Sequence, residues 1–286
     1  MKFFLAIRYV LVLPLLLLTL ATTPAASSTD SAVLVGEDTF VFDQALMMGQ
    51  GITNDGEYYY TSGAIAGVGL TVLAKLSVED MQLVKATVNP LPKVCKNRKN
   101  DHIGGISYYN GKIYASVEGP DEGYPCIVVF DSETLKATGE VYDLPIEEYD
   151  DGVPWCAVDP DTGYLYASRW SDATSIFVYD TADSMKLVRE IKLTGLGIID
   201  RIQGGEFYKG TLYLSNDLKH SGNIKRIMSV DIQTGEVAVA ATRDVGGEDV
   251  EAEGMTFLET QDGAQMHVLD YNKLIGVNVR HYSVNF

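Results

Sequence analysis

The sequence predicts an all-β chain folded as a five-bladed β-propeller, with four short strands per blade and a ring closed by an N-terminal strand that completes the last blade. Three observations carry this reading. One hairpin pattern occurs five times at a spacing near 50 residues, and further strand pairs lie between its copies in constant phase. No long apolar run with a 3.6-residue period competes with the alternation.

Taken in chain order, the first segment is MKFFLAIRYVLVLPLLLLTLATTPAASS. Lys2 and Arg8 precede a leucine-rich core, and small residues follow at Ala21, Ala25 and Ala26, which is the layout of a secretory signal peptide. The apolar run from Tyr9 to Leu20 is short for a bilayer span, and Pro14 interrupts it. Residues 1–27 are therefore expected to be removed, leaving 28–286 as one secreted, extracellular propeller domain without stable membrane insertion. Next comes DTFVFDQAL, Asp38 to Leu46, which alternates like a strand and precedes the first hairpin. It is the spare strand expected to complete the fifth blade.

The hairpins follow: QGITNDGEYYYTSG from Gln50, HIGGISYYNGKIYASVEG from His102, PWCAVDPDTGYLYAS from Pro154, RIQGGEFYKGTLYLSND from Arg201 and EAEGMTFLETQDGAQMHVLDYN from Glu251. Their turn glycines are Gly56, Gly111, Gly163, Gly210 and Gly263. Each hairpin supplies strands A and B of a blade. The intervening pairs supply C and D, and three of them carry an aspartate at the strand end, at Asp131, Asp180 and Asp231. The last unit lacks a fourth strand before Phe286, hence the expected closure. Strand A is rich in glycine because the innermost strands converge on one axis.

Charge narrows the partners. The whole chain carries −17, and losing Lys2 and Arg8 makes it more negative. Nucleic acid is excluded as a partner, since phosphate binding needs Lys and Arg. A cation remains a candidate. Three cysteines allow one disulfide in an oxidising compartment: Cys95–Cys126, closing a loop over the mouth, or Cys126–Cys156. Their spacing fits no zinc motif. No N-glycosylation sequon occurs.

Alternating strand direction places the starts of A strands and the ends of B strands on one face, the top. This gathers Gln50, His102, Trp155, Arg201 and Glu253 with Glu118, Arg169, Trp170, Asn216, Asp217 and Asp270. His102 opposite Glu118 is a candidate general base held by a carboxylate, with Glu253 a further catalytic carboxyl. The bland alternative is a hydrogen bond tying A to B. Asp217 and Asp270, with Glu118 and Glu253, offer oxygen ligands that suit calcium, or ion-pair partners for Arg169 and Arg201. Trp155 and Trp170 suit a stacking wall, although Trp155 equally suits packing between blades. Gln50, Arg169, Arg201 and Asn216 complete a mouth for a small molecule, a peptide terminus or a glycan. DPDTG at Asp159 is turn chemistry rather than a calcium loop.

The five hairpins resemble the plant and bacterial type of glutamine cyclotransferase. FDQALMMGQGITNDGEYYYTSG is similar to that family's opening blade, where a glutamine-glycine pair precedes a strand ending in Ser-Thr-Gly. The resemblance implies closure of an N-terminal glutaminyl residue to pyroglutamyl with loss of ammonia. The family's acidic residue before Ser-Thr-Gly is replaced here by Tyr60, which leaves Glu118 or Glu253 to stand in. Glu253 to Met255, EGM, is also similar to the Glu-Gly strand start of calcium-dependent lactonase propellers. A non-catalytic extracellular binding module is the alternative from a different class.

Overall fold

A computed structural model describes residues 32–41, 44–65, 69–119, 124–217, 224–245, 250–272 and 276–286. The segment read as a signal peptide lies outside the described residues. The N-terminal strand β1 is Ala32–Phe40. Blade one holds β2 (Ile52–Asn54), β3 (Tyr58–Ile65), β4 (Leu70–Ser77) and β5 (Leu83–Val88). A short helix α1 (Lys93–Asn97) leads to blade two: β6 (His102–Tyr109), β7 (Lys112–Glu118), β8 (Cys126–Asp131) and β9 (Ala137–Asp143). Blade three holds β10 (Trp155–Val158), β11 (Tyr164–Ser168), β12 (Ser175–Asp180) and β13 (Lys186–Lys192). After β14 (Thr194–Gly195), blade four holds β15 (Ile202–Tyr208), β16 (Thr211–Asn216), β17 (Ile224–Val230) and β18 (Glu236–Asp244). Blade five holds β19 (Val250–Thr260), β20 (Gly263–Asn272) and β21 (Gly276–Val284).

Each blade is an antiparallel sheet in chain order, and the fold is a five-bladed β-propeller. The second hairpin shows how the letters set the geometry. Asn110 and Gly111 both take positive φ, 51° and 76°, the backbone of a two-residue turn whose twist matches its strands. His102 and Glu118 then become direct cross-strand partners. Blade four carries one strand more than expected, because β14 adds to β18 in parallel.

Blade five takes the order β1-β21-β20-β19, so the N-terminal strand does complete it. The strand is Ala32–Phe40, however, and not Asp38–Leu46. Asp38–Leu46 alternates, but it is Ala32–Phe40 that pairs, Ala32 opposite Val284 and Phe40 opposite Val277, which uses nearly the full length of β21. Ala45–Met47 forms a 3-10 turn that packs its backbone against Gly63 of β3. That contact fixes the entry into blade one and leaves those residues no part in the closing strand.

Apolar side chains from facing blades fill the gaps between sheets. Between blades three and four, Trp155, Ile176, Val178, Ile202, Leu212 and Met228 form one continuous buried cluster. Each fully buried side chain of this size contributes roughly 1.5–3 kcal/mol. At the axis the A strands meet backbone to backbone. A Cβ on Gly254 of β19 would lie 2.6 Å from the Ile52 nitrogen and 2.7 Å from the Gly51 Cα. Even β6 and β15, from non-neighbouring blades, approach one another across the axis. The glycines therefore let the inner strands pinch the channel at the axis.

Candidate functional site

The mouth is built from His102, Glu118 and Gln50. β6 and β7 hold His102 and Glu118 in register, and His102 Nδ1 lies 3.1 Å from Glu118 Oε1. The other carboxylate oxygen, Oε2, accepts the Val153 N–H at 2.8 Å. This second bond ties the end of blade two to the entry of blade three and fixes the carboxylate that orients the ring. His102 Nε2 faces Gln50 Oε1 at 2.6 Å. Gln50 itself is placed by its backbone, which donates to the Ser62 carbonyl and accepts the Gly254 N–H at 2.8 Å. The Gly254 bond brings Glu253 beside Gln50. The His102 and Glu118 side chains remain 27% and 19% exposed, enough for a ligand to reach them.

Glu253 is buried. Burial raises its pKa well above the usual carboxylate range. Glu251 and Asp217 push in the same direction, while Arg201 opposes them. Its proton is therefore held more tightly than that of an ordinary carboxyl. Raised carboxyls of this kind serve as proton donors when a ligand sits against them.

A second group surrounds the start of β15. Arg201 donates through Nε and Nη2 to Asp217 Oδ2 at 3.2 and 2.5 Å. Its guanidinium also stacks 4.6 Å from the Trp170 ring centroid. The other Asp217 oxygen is held by Lys225 Nζ at 2.5 Å. Asn216 donates to the Asp200 carbonyl at 2.5 Å, which pins the loop over blade four. Arg169 is engaged at the rim by Asp150, 2.7 Å away, and by Asp151.

Several expectations change. Asp217 and Asp270 do not form a calcium site. Two cations already occupy the Asp217 oxygens, and Asp270 accepts from Arg243 at 2.9 and 3.0 Å and from Arg280 at 2.6 Å. Among the described residues no group of three or more His, Cys, Asp and Glu side chains is arranged around a metal. Asp270 belongs to a buried network between blades four and five. Trp155 is fully buried. Its indole N–H donates to Ser168 Oγ at 3.0 Å and its ring packs on Gly205, so it serves blade packing rather than a ligand wall. The cysteines are free thiols, all buried. Cys95 and Cys126, the preferred pair, do lie together, but as hydrogen-bonded thiols. That bond lowers the Cys95 thiol and raises its Cys126 partner.

Some participants were not foreseen. Asp150, Asp151 and Lys225 come from a loop and an outer strand that the hairpin pattern does not cover, whereas Glu251 opens the fifth hairpin itself. A ring of B-strand serines was visible in the spacing. Ser116, Ser168 and Ser215 each stand five residues after a turn glycine. Ser62, in the first blade, donates to the Gly104 carbonyl at 2.7 Å, and Ser116 donates to the Gly105 carbonyl at 2.9 Å. These hydroxyls hold the glycine strands around the axis.

No family model matches the sequence, and no curated protein does. Solved structures do match. The major allergen Mala s 1 of Malassezia sympodialis superposes with a TM-score of 0.53 at 8% identity, over 83% of this chain and 79% of that one. A DUF4623 family protein from Bacteroides eggerthii gives 0.49 at 10% identity, over 90% and 77%. A luciferin-regenerating enzyme gives 0.48 at 12% identity, over 82% and 75%. At such identity the likeness speaks to the fold alone.

Proposed function

We propose that this is a secreted propeller that binds a small polar ligand at its top mouth and moves a proton there between His102 and Glu253. The observation that carries the reading is the His102–Glu118–Gln50 chain, with the buried Glu253 carboxyl, its pKa raised by burial, beside it. Glu118 orients the imidazole. The Gln50 amide that meets Nε2 marks where a ligand amide or hydroxyl would sit after displacing it. Glu253 supplies the acid. The ligand class that fits is a peptide terminus, and the glutaminyl terminus named by the sequence resemblance is the first to try. Cyclisation there would expel ammonia as the N-terminal amine attacks the side-chain amide carbon. Glu253 would protonate the leaving amine while His102 takes the proton from the attacking one.

A second reading is a non-catalytic binding module. It is favoured by His102 having both ring nitrogens engaged within the protein. One experiment separates the two. Ammonia release is followed from a Gln-initiated peptide with the wild type, Glu118→Gln and Glu253→Gln. Turnover that falls at least 100-fold in both variants supports the enzyme. Binding of the same peptide without turnover supports the module. Neither binding nor turnover removes the glutaminyl reading. In an oxidising compartment the adjacent Cys95 and Cys126 thiols would close to a disulfide, which thiol counting on secreted material checks.

A further inference from the structure

Away from the mouth, on the top flank of blade four, lies a cleft of about 230 Å³. Ile202, Met228 and Ile199 form its buried floor, and Leu196 and Ile198 stand over it while remaining more than half exposed. Such open apolar side chains on one short loop are costly unless something covers them. Into this apolar cleft β17 also turns Arg226, on the same side of the strand as Met228.

Arg226 differs from the other described arginines. Asp143 holds Arg98, Asp150 and Asp151 hold Arg169, and the Ile232 carbonyl holds Arg189. Asp217 holds Arg201, and Asp270 holds both Arg243 and Arg280. Among the described residues only Arg226 has no acceptor, although it is half-buried and the chain carries a net charge of −17. A half-buried guanidinium beside apolar side chains suits a carboxylate, which it grips through two parallel N–H bonds. Asp200 lines the cleft too, but it makes no ion pair with Arg226, and its Oδ1 accepts the Asp172 N–H at 3.3 Å.

We infer that this cleft is a binding site for a small organic monocarboxylate with an apolar body, its carboxylate on Arg226 and its body against Leu196, Ile198 and Met228. The volume lies below the range of roughly 300–1,000 Å³ that suits drug-sized ligands, so the ligand is short. The site is separate from the mouth and stands whether or not the mouth is catalytic.

Octanoate and its neutral amide, octanamide, test it by isothermal titration of the full secreted chain. The wild type is expected to prefer octanoate by about tenfold, the value of one charge-assisted pair. Arg226→Gln should abolish the preference while leaving octanamide affinity unchanged. The substitution breaks no ion pair, so the fold should persist. Asp200→Asn should tighten octanoate severalfold, and Ile198→Asp should weaken both ligands. Glu118→Gln and Glu253→Gln should leave octanoate affinity as it is, which keeps this result independent of the mouth. Equal affinity of the wild type for the two ligands, no octanoate binding at millimolar concentration, or a preference that survives Arg226→Gln would overturn the assignment.

Discussion

Glu206 reaches the axis from β15, where Thr53 and Thr256 donate to its carboxyl at 3.1 and 3.4 Å. Glu206 is half-buried there, and burial pushes its pKa up to about 7 against an ordinary 4.5. The unfolded chain therefore ionises this group before the folded one does. Its contribution is complete below pH 4.5 and declines as the pH rises to 7, by about 3 kcal/mol in all. Glu206→Gln should flatten that decline in urea midpoints taken from pH 4 to 8. His267 acts in the opposite sense. Burial and the neighbouring His281 hold it down at about 3, against 6.5 when unfolded. Its contribution is complete above pH 6.5 and fades as the pH falls toward 3, by about 5 kcal/mol. His267→Gln, which keeps a group able to meet the Tyr59 hydroxyl, should remove most of the acid-side loss. An unchanged acid limb would show that other groups set it. Neither residue was legible beforehand. Glu206 and His267 sit at ordinary strand positions, and only the closed ring makes their surroundings dry.

At the level of strands, Asp270 of β20 joins three elements. It receives Arg243 from β18 and Arg280 from β21, and Arg280 in turn holds Glu37 of β1 at 2.7 Å. The Arg243 and Asp270 side chains are both fully buried. Removing one member of such a pair leaves charge stranded in the interior. Asp270→Ala is therefore expected to cost about 3–5 kcal/mol, read as a lower urea midpoint. A loss below about 1 kcal/mol would mean that water reaches the two arginines. The sequence placed Asp270 correctly at the end of a B strand and misassigned its work. The cause is specific: its partners lie on outer strands, whose pairing across the blade boundary no local pattern encodes. His102 and Glu118 were legible for the converse reason. A single hairpin sets their register through its two-residue turn and the one-residue shift between Ile103 and Ile106, so sixteen residues suffice to bring them together. Trp155 was the intermediate case, since both of its readings fit a strand start and only the position of Gly205 decides.

For the whole molecule, the consequential feature is how the ring closes. β1 leaves Ala32 directly opposite Val284, so the two ends of the described chain are neighbours. Blade five without β1 would expose the flank of β21, and would leave Arg280 without Glu37 and His281 without Asp38, its partner at 2.9 Å. A chain starting at residue 42 is therefore expected to melt earlier and less cooperatively than one starting at residue 28, by circular dichroism. The blade count was legible because the repeat is written five times. The closing strand was displaced because Asp38–Leu46 shows the alternation while Ala32–Val35 is an unbroken apolar run, and only pairing with β21 reveals the latter as the strand start. Closure also separates continuity of the ring from continuity of the chain. A permutant that links Phe286 to Ala32 through a short flexible segment and opens the exposed turn at Asp161–Thr162 keeps every blade and moves the seam to blade three. It should retain the wild-type strand content and a cooperative transition, while the shortened chain does not. Were the permutant to collapse as the shortened chain does, stability would depend on chain order rather than on closure by β1.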